Sequence, residues 1–365
     1  MIKFLDLYNQ DKKFINSYIK DIKKLFIKND FILGGKVQEF EKKFSDFCGS
    51  KYAIGCANGT DALTLALKSL DLPKNSEVIM PAMTYCSTAF AIINSGLKPV
   101  LIDIDFNTST MNIDKLKKKI TKKTKVIMPV HLYGSVANIH KIKKIIAKKK
   151  IFIIDDASQA HGAIDDSNFK KFKVVGSSCD ISCFSLYPGK NLGAYGDAGI
   201  ITTNSKIISN KIRNLRNLGS TKKFIHTNIG VNSRLDTIQA IFLIKKLTQL
   251  KINNKKRISI ANYYSKNINN KNVTKILYSK FAVYHQYVIK VKNRGKLIKL
   301  FKKNDVQYGF HYPKSINQLD VFKKRFKGQK FRNSEDLANR GISLPINPNI
   351  KKNELKKIVN LINSI

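Results

Sequence analysis

The segment Ile181-Ser182-Cys183-Phe184-Ser185-Leu186-Tyr187-Pro188-Gly189-Lys190-Asn191-Leu192-Gly193-Ala194-Tyr195-Gly196-Asp197-Ala198-Gly199 decides how the rest of the chain is read. A half-apolar strand runs into Pro188-Gly189. A lysine then begins a loop with Gly193, Gly196 and Gly199, where the backbone can turn sharply and approach a ligand closely. Lys190 is thereby set apart from the 67 basic residues of the chain. A lysine crowded by apolar and aromatic neighbours is desolvated, which lowers its pKa and frees the amine to attack a carbonyl. Taken alone, the segment describes equally well a loop lysine directed into water.

Upstream of this loop, short apolar runs alternate with helix-length segments. Val78-Ile79-Met80, Val100-Leu101-Ile102, Val126-Ile127-Met128 and Ile151-Phe152-Ile153-Ile154 are continuous and rich in branched residues, as strands covered on both faces are. The pattern predicts an α/β protein with a mainly parallel sheet. Ligands of such sheets gather at the carboxyl ends of the strands. Polar groups stand there: Thr84 and Tyr85 after one strand, His131 and Tyr133 after another, and Asp155-Asp156 with Gln159 and His161 after a third. Two carboxylates leaving an apolar strand need a cationic or hydrogen-bonding partner. The spacing of His131, His140 and His161 does not suggest a metal site.

Leu63, Ala66, Leu67 and Leu70 fall on one helical face, preceded by Gly59-Thr60-Asp61. Here glycine supplies a flexible start, Thr60 an N-capping hydroxyl and Asp61 an acidic first turn. Such a start can hold a phosphate or can be an ordinary capped helix. Residues 9–30 read as an amphipathic helix with Phe14, Tyr18, Ile22 and Leu25 on one side, and residues 37–47 as another with Phe40, Phe44 and Phe47. Both read as packing faces. Beyond the Lys190 loop, residues 199–203 read as a strand, and residues 230–240 as a loop leading into a helix, with Arg234 and Asp236 placed to pair with each other. Strands are expected at 283–292 and 306–312, and helices at 297–304, 334–340 and 353–363.

A chain of 365 residues exceeds the size at which single cores stop growing, so two domains are expected. The composition changes near residues 253–257, within a helical connector. This gives residues 1–247 as a large α/β domain and residues 248–365 as a smaller α+β one. Neither a signal peptide nor a run of ~18 apolar residues is seen, so a cytoplasmic protein without a membrane partner is expected. Cys48, Cys56, Cys86, Cys179 and Cys183 lack paired spacing and read as free thiols, buried by default. The formal charge of +42 raises nucleic acid as a partner. Its lysines are instead spread at helical spacing, as in Lys141-Ile142-Lys143-Lys144, which reads as solvated helix faces. No nucleic-acid partner is therefore expected.

A strand-end carboxylate, a Gly-Thr helix start and a lysine in a glycine-rich loop are the parts that pyridoxal phosphate chemistry needs. With these in place, the chain resembles the DegT/DnrJ/EryC1/StrS family of pyridoxal phosphate-dependent sugar aminotransferases, from about Phe31 to near the C-terminus. The matching segments are Asn58-Gly59-Thr60-Asp61-Ala62-Leu63, Pro129-Val130-His131-Leu132-Tyr133-Gly134, Asp156-Ala157-Ser158-Gln159-Ala160-His161-Gly162-Ala163, the Lys190 loop, Asn232-Ser233-Arg234-Leu235-Asp236 and Gly309-Phe310-His311-Tyr312-Pro313.

The resemblance implies a fold-type-I transferase with a large, mainly parallel seven-stranded sheet domain and a small C-terminal domain. It implies a homodimer with shared active sites, acting in amino-sugar or polysaccharide biosynthesis. By position, Lys190 matches the lysine that links to the cofactor and later moves a proton, and Asp156 the carboxylate at the pyridine nitrogen. Gln159 matches the side chain near the ring hydroxyl, and Tyr85 the aromatic stacked on the ring. Gly59, Thr60, Asp61 and Ser185 match the phosphate cradle, and Asn232 the residue that reaches it from the partner subunit. His311, Tyr312 and Tyr187 are the substrate candidates.

The resemblance further implies L-glutamate as donor and a nucleotide-linked keto sugar as acceptor. Asn58, in place of a usual serine, favours a deoxythymidine diphosphate 3-keto-6-deoxyhexose over a 4-keto sugar or a UDP-linked 3-keto sugar. Thr237 and the segment Lys314-Ser315-Ile316-Asn317-Gln318 also depart from the family pattern, near the sugar rather than the cofactor. Family relatives that dehydrate sugars carry histidine at the position of Lys190. A non-catalytic sensor or nucleic-acid binder would not require this lysine.

Overall fold

The computed structural model describes residues 1–166 and 172–365. Its main element is a seven-stranded sheet. The strands are β1 (Tyr52–Cys56), β2 (Glu77–Pro81), β3 (Lys98–Ile102), β4 (Thr124–Ile127), β5 (Phe152–Asp156), β6 (Ile181–Ser185) and β7 (Gly199–Thr203). They lie in the order β1-β7-β6-β5-β4-β2-β3. All neighbours are parallel except at β7, which runs antiparallel to both β6 and β1.

The apolar runs are buried along their length because both faces of the sheet are covered. Alternate residues serve different cores, as the two-residue repeat of a strand requires. Val78, Met80, Ile154, Ile181 and Ile201 enter one cluster with the helix Gly59–Lys68. Their neighbours Ile79 and Ile153 enter a second cluster. Phe184 and Ile200 enter a third, with Phe40 and Phe44 of the helix Gly35–Cys48. Burying one such side chain contributes about 2 kcal/mol. That helix ends at Gly49, whose φ of 70° lies in the left-handed region suited to glycine.

The C-terminal part carries a three-stranded antiparallel sheet of Val273–Lys275, Tyr287–Val291 and Gly341–Leu344. The helices Arg294–Lys303, Arg332–Arg340 and Lys352–Asn363 accompany it. A 31-residue helix, Thr237–Asn267, joins the two parts. Its Ala240, Leu243 and Leu250 belong to the core with Phe44, whereas Ile260, Ala261 and Tyr264 belong to the C-terminal core.

Several expectations are corrected. The N-terminal helix is not continuous: Leu7–Asp11 and Ile15–Lys28 are separated by a 3₁₀ turn, Lys12–Phe14. Residues 306–312 do not form a strand, since they make only the isolated bridges Ile2↔Val306 and Gly309↔Ser343. The helix Gly59–Lys68 is capped by Asn58, whose side chain accepts from the Asp61 N–H at 2.8 Å, rather than by Thr60. Arg234 donates to Asn217 Oδ1 at 3.2 Å instead of pairing with Asp236. The strands β1 and Gly341–Leu344 have no counterpart among the runs read from sequence. Of the five cysteines, all free, Cys86 is half-buried and the others are buried.

Candidate active site

The strand ends place the polar groups. β5 delivers Asp156 as its last residue, and β6 ends at Ser185, just before the turn in which the Lys190 N–H donates to the Tyr187 carbonyl at 2.9 Å. The helix that follows β1 starts at Gly59. A Cβ added at Gly59 would lie 2.6 Å from Ser185 Cβ, so the helix start meets the end of β6 in a contact that only glycine permits. The exposed N–H groups of a helix start favour an anion there.

These groups line one cavity of about 740 Å³. Asp156 is buried, and its Oδ2 accepts from Thr88 Oγ1 at 2.9 Å while its Oδ1 accepts from the Ser158 N–H at 3.2 Å. Gln159 is held at both ends. Its Oε1 accepts from the Tyr133 N–H at 2.6 Å and its Nε2 donates to the Tyr312 hydroxyl at 3.0 Å. Thr60 Oγ1 donates to Ser87 Oγ at 2.7 Å. The rings of Tyr85 and Tyr312 approach to 5.4 Å between centroids.

Burial lowers the Lys190 pKa to about 8, partly opposed by the Asp156 carboxylate. A fraction of the amine is therefore neutral near pH 8. Histidines around it are held uncharged. Burial first, and Lys190 second, bring His161 down to about 3 and His311 to about 4, and the same causes push His285 well below its ordinary value. Burial raises the Tyr312 hydroxyl, with Asp156 adding to the effect. The surroundings of Lys190 thus hold a strand-end carboxylate and neutral rings, an environment suited to an uncharged amine that accepts and returns a proton.

Of the residues singled out from sequence, Gly59, Thr60, Asp61, Tyr85, Asp156, Gln159, Ser185, Tyr187, Lys190, His311 and Tyr312 all line the cavity. Asn232 does not. It is exposed and lies in an isolated bridge with Asn217. Sequence reasoning missed Ser87, His285, Gln286 and, from the far N-terminus, Phe4 and Leu5. Ser87 and Thr88 follow Tyr85 on the helix Cys86–Asn94, and their signal is position: they are hydroxyls just past a strand end. Phe4 and Leu5 carry no local signal.

The donor set fits pyridoxal phosphate: an amine for the aldehyde, a carboxylate for the ring nitrogen and a helix start without a Cβ for the phosphate. On a seven-stranded sheet with one reversed strand, this pairing of lysine and carboxylate defines the fold-type-I class of pyridoxal phosphate enzymes. Residues 12–363 match the DegT/DnrJ/EryC1/StrS aminotransferase family, and the chain belongs to it. It is 39% identical, over 100% of its length and 99% of the relative's, to a dTDP-3-amino-3,6-dideoxy-alpha-D-galactopyranose transaminase of Aneurinibacillus thermoaerophilus. It is 34% identical to a UDP-2-acetamido-2-deoxy-3-oxo-D-glucuronate aminotransferase of Pseudomonas aeruginosa, over 98% of each chain. The crystal structure of S. venezuelae DesV superposes with a TM-score of 0.95 at 28% identity, covering 100% of this chain and 98% of that one.

Proposed function

We propose that the protein is a pyridoxal phosphate-dependent aminotransferase that converts a nucleotide-linked 3-keto sugar, of the deoxythymidine diphosphate 6-deoxyhexose type, to the amino sugar with L-glutamate as donor. The observation that carries this reading is the shared cavity of Lys190 and Asp156, with the Gly59 helix start packed on Ser185 at its wall. The likeness to the A. thermoaerophilus transaminase favours the dTDP-linked 3-amino sugar. The likeness to the P. aeruginosa enzyme keeps a UDP-linked 3-keto sugar as the alternative.

When bound, pyridoxal phosphate supplies an aldehyde and an electron-withdrawing ring that stabilises negative charge at the amino-acid Cα. Lys190 would hold the cofactor covalently and, once released, move the proton at Cα with its amine. Asp156, fixed by Thr88 and Ser158, would hold a proton at the ring nitrogen. Gln159, fixed by Tyr133 and Tyr312, would donate toward the ring hydroxyl. Gly59, Thr60, Asp61 and Ser185 would cradle the phosphate, while Tyr85 would cover the ring. Tyr187, His311 and Tyr312 would contact the sugar. In this reading residues 1–247 carry the cofactor and residues 248–365 close the acceptor side. Asn232, exposed and away from its own cavity, would reach the phosphate of the partner in a homodimer.

The test is spectroscopic. The purified protein should be yellow with lysine-linked cofactor, glutamate should bleach the band, and a 3-keto sugar nucleotide should restore it. A protein that stays colourless with added pyridoxal phosphate would refute the reading.

A further inference from the structure

The first eleven residues form a strap tied at both ends, with its middle at the cavity. At one end the Ile2 N–H donates to the Asp305 carbonyl at 2.7 Å and the Gln307 N–H donates to the Ile2 carbonyl at 3.0 Å. The Phe4 N–H donates to Gln307 Oε1 at 2.8 Å, and Asn347 Nδ2 donates to the Lys3 carbonyl at 2.8 Å. At the other end Lys246 Nζ donates to Asp11 Oδ2 at 3.0 Å, both side chains being buried. The Tyr195 hydroxyl, in the Lys190 loop, reaches the same carboxylate at 3.4 Å. The strap thus ties the C-terminal part to the Lys190 loop.

Between these anchors, Phe4 and Leu5 line the cavity. The Phe4 ring stacks on His311 with centroids 5.9 Å apart and planes 11° from parallel. Leu5 Cδ1 would lie 3.3 Å from a Cβ added at Gly189, so it packs beside the residue that precedes Lys190. The other aliphatic side chains of the lining, Leu63 and Val130, are buried in the core, whereas Leu5 is 39% exposed. Apart from Gly59 and Gly189, the remaining lining is polar or aromatic. Leu5 with Phe4 is accordingly an apolar face of the cavity, beside the residue that precedes Lys190.

An apolar wall of this kind leaves a hydroxyl or carboxylate of the substrate without a partner, while a methyl group buries surface against it. We propose that Phe4 and Leu5 are specificity-determining residues, through which the N-terminal strap selects a keto sugar whose C6 carries no oxygen. The inference rests on the acceptor being the nucleotide-linked 6-deoxy keto sugar of that reading, and it names the residues that would select it. An apolar pocket rejects an added hydroxyl only modestly, so the preference for a 6-deoxy over a 6-hydroxy acceptor is expected at about 10- to 100-fold in kcat/KM.

The experiment compares 6-deoxy and 6-hydroxy forms of the same 3-keto hexose nucleotide on the holoenzyme, in the wild type and in Leu5→Asn, Leu5→Met and Phe4→Leu. The ratio of the two kcat/KM values cancels any general loss of activity. Leu5→Asn is expected to narrow the ratio about tenfold, because its amide supplies the missing partner, and Leu5→Met to preserve it. Phe4→Leu, which keeps an apolar group but loses the stack on His311, tests the wall independently should Leu5→Asn fold poorly, and a two- to threefold narrowing is expected. Turnover of both sugars with equal efficiency by the wild type, or a ratio unmoved by Leu5→Asn and Phe4→Leu, overturns the proposal while leaving the aminotransferase reading intact. A wild type that retains cofactor but aminates neither sugar overturns both.

Discussion

Asp155 Oδ2 lies 2.9 Å from His131 Nε2, and both residues are buried. Nδ1 of the same ring accepts from the Ala137 N–H at 3.1 Å, which places the ring proton on Nε2 and makes it the donor to Asp155. Asp155 does not line the cavity that its neighbour Asp156 lines. The two carboxylates that leave β5 together thus have separate partners, one histidine and one threonine.

His131→Ala should therefore cost stability. The other oxygen of Asp155 makes no hydrogen bond among the described residues, and the buried Cys179 thiol beside this carboxylate is at best a weak donor. Removing the ring would leave a buried carboxylate uncompensated, at about 3 kcal/mol. Urea unfolding of the variant and the wild type measures this, and a loss below about 1 kcal/mol would count against the pairing.

The Lys190 amine should lose its proton near pH 8. In cofactor-free protein, its labelling by an acylating reagent should rise through a midpoint near that value. Because Asp156 favours the charged amine, Asp156→Asn should move the midpoint lower. A lysine with a folded pKa of about 8 against an ordinary value of 10.5 binds fewer protons than the unfolded chain between these values. Its desolvation penalty is complete below about pH 8 and is relieved as pH rises toward 10.5. A midpoint unchanged by Asp156→Asn would argue that the two groups do not interact.

Gly59→Ala should weaken cofactor retention as well as the fold. The new methyl would lie 2.6 Å from Ser185 Cβ and 3.0 Å from Ser185 Cα, so the helix start must withdraw from β6. Overpacking of this size costs about 1–3 kcal/mol. Equilibrium titration with pyridoxal phosphate should show at least about a tenfold weaker Kd. An unaltered Kd would place the anion site elsewhere.

The buried pair of Lys246 and Asp11 should behave asymmetrically. Lys246→Met alone leaves Asp11 in the core and should destabilise by about 3–5 kcal/mol, whereas Lys246→Met with Asp11→Leu should recover most of that loss. Burial lowers the Lys246 pKa, with Asp11 opposing the shift. Denaturant midpoints of the single and double variants decide the matter. Additive losses would mean that the two groups are independent.

How much was legible in the sequence depended on the range of the signal. The strands from Glu77 to Thr203 announced themselves because a sheet covered on both faces needs unbroken apolar runs, and the cavity followed from strand ends. β1, Tyr52–Cys56, was hidden by Gly55, which sits there because a Cβ would strike Leu235 at 2.8 Å. Residues 306–312 alternate as a strand does, yet their bridges to Ile2 and Ser343 are single contacts. The strap was illegible for a related reason. Phe4 bonds to a residue 303 positions away, and no periodicity within either segment encodes that meeting.

The helix Thr237–Asn267 bears on how the molecule can flex. At 1.5 Å of rise per residue, its 31 residues make a rod of about 46 Å whose two ends are embedded in different cores. Swinging one half of the protein against the other at that seam would break successive i→i−4 hydrogen bonds, and the helix has no proline at which to kink. The rod therefore holds the two halves in register, and the leading segment, bonded through Ile2, Lys3 and Phe4 to the C-terminal half and through Asp11 to the helix itself, adds a second tie across the same seam.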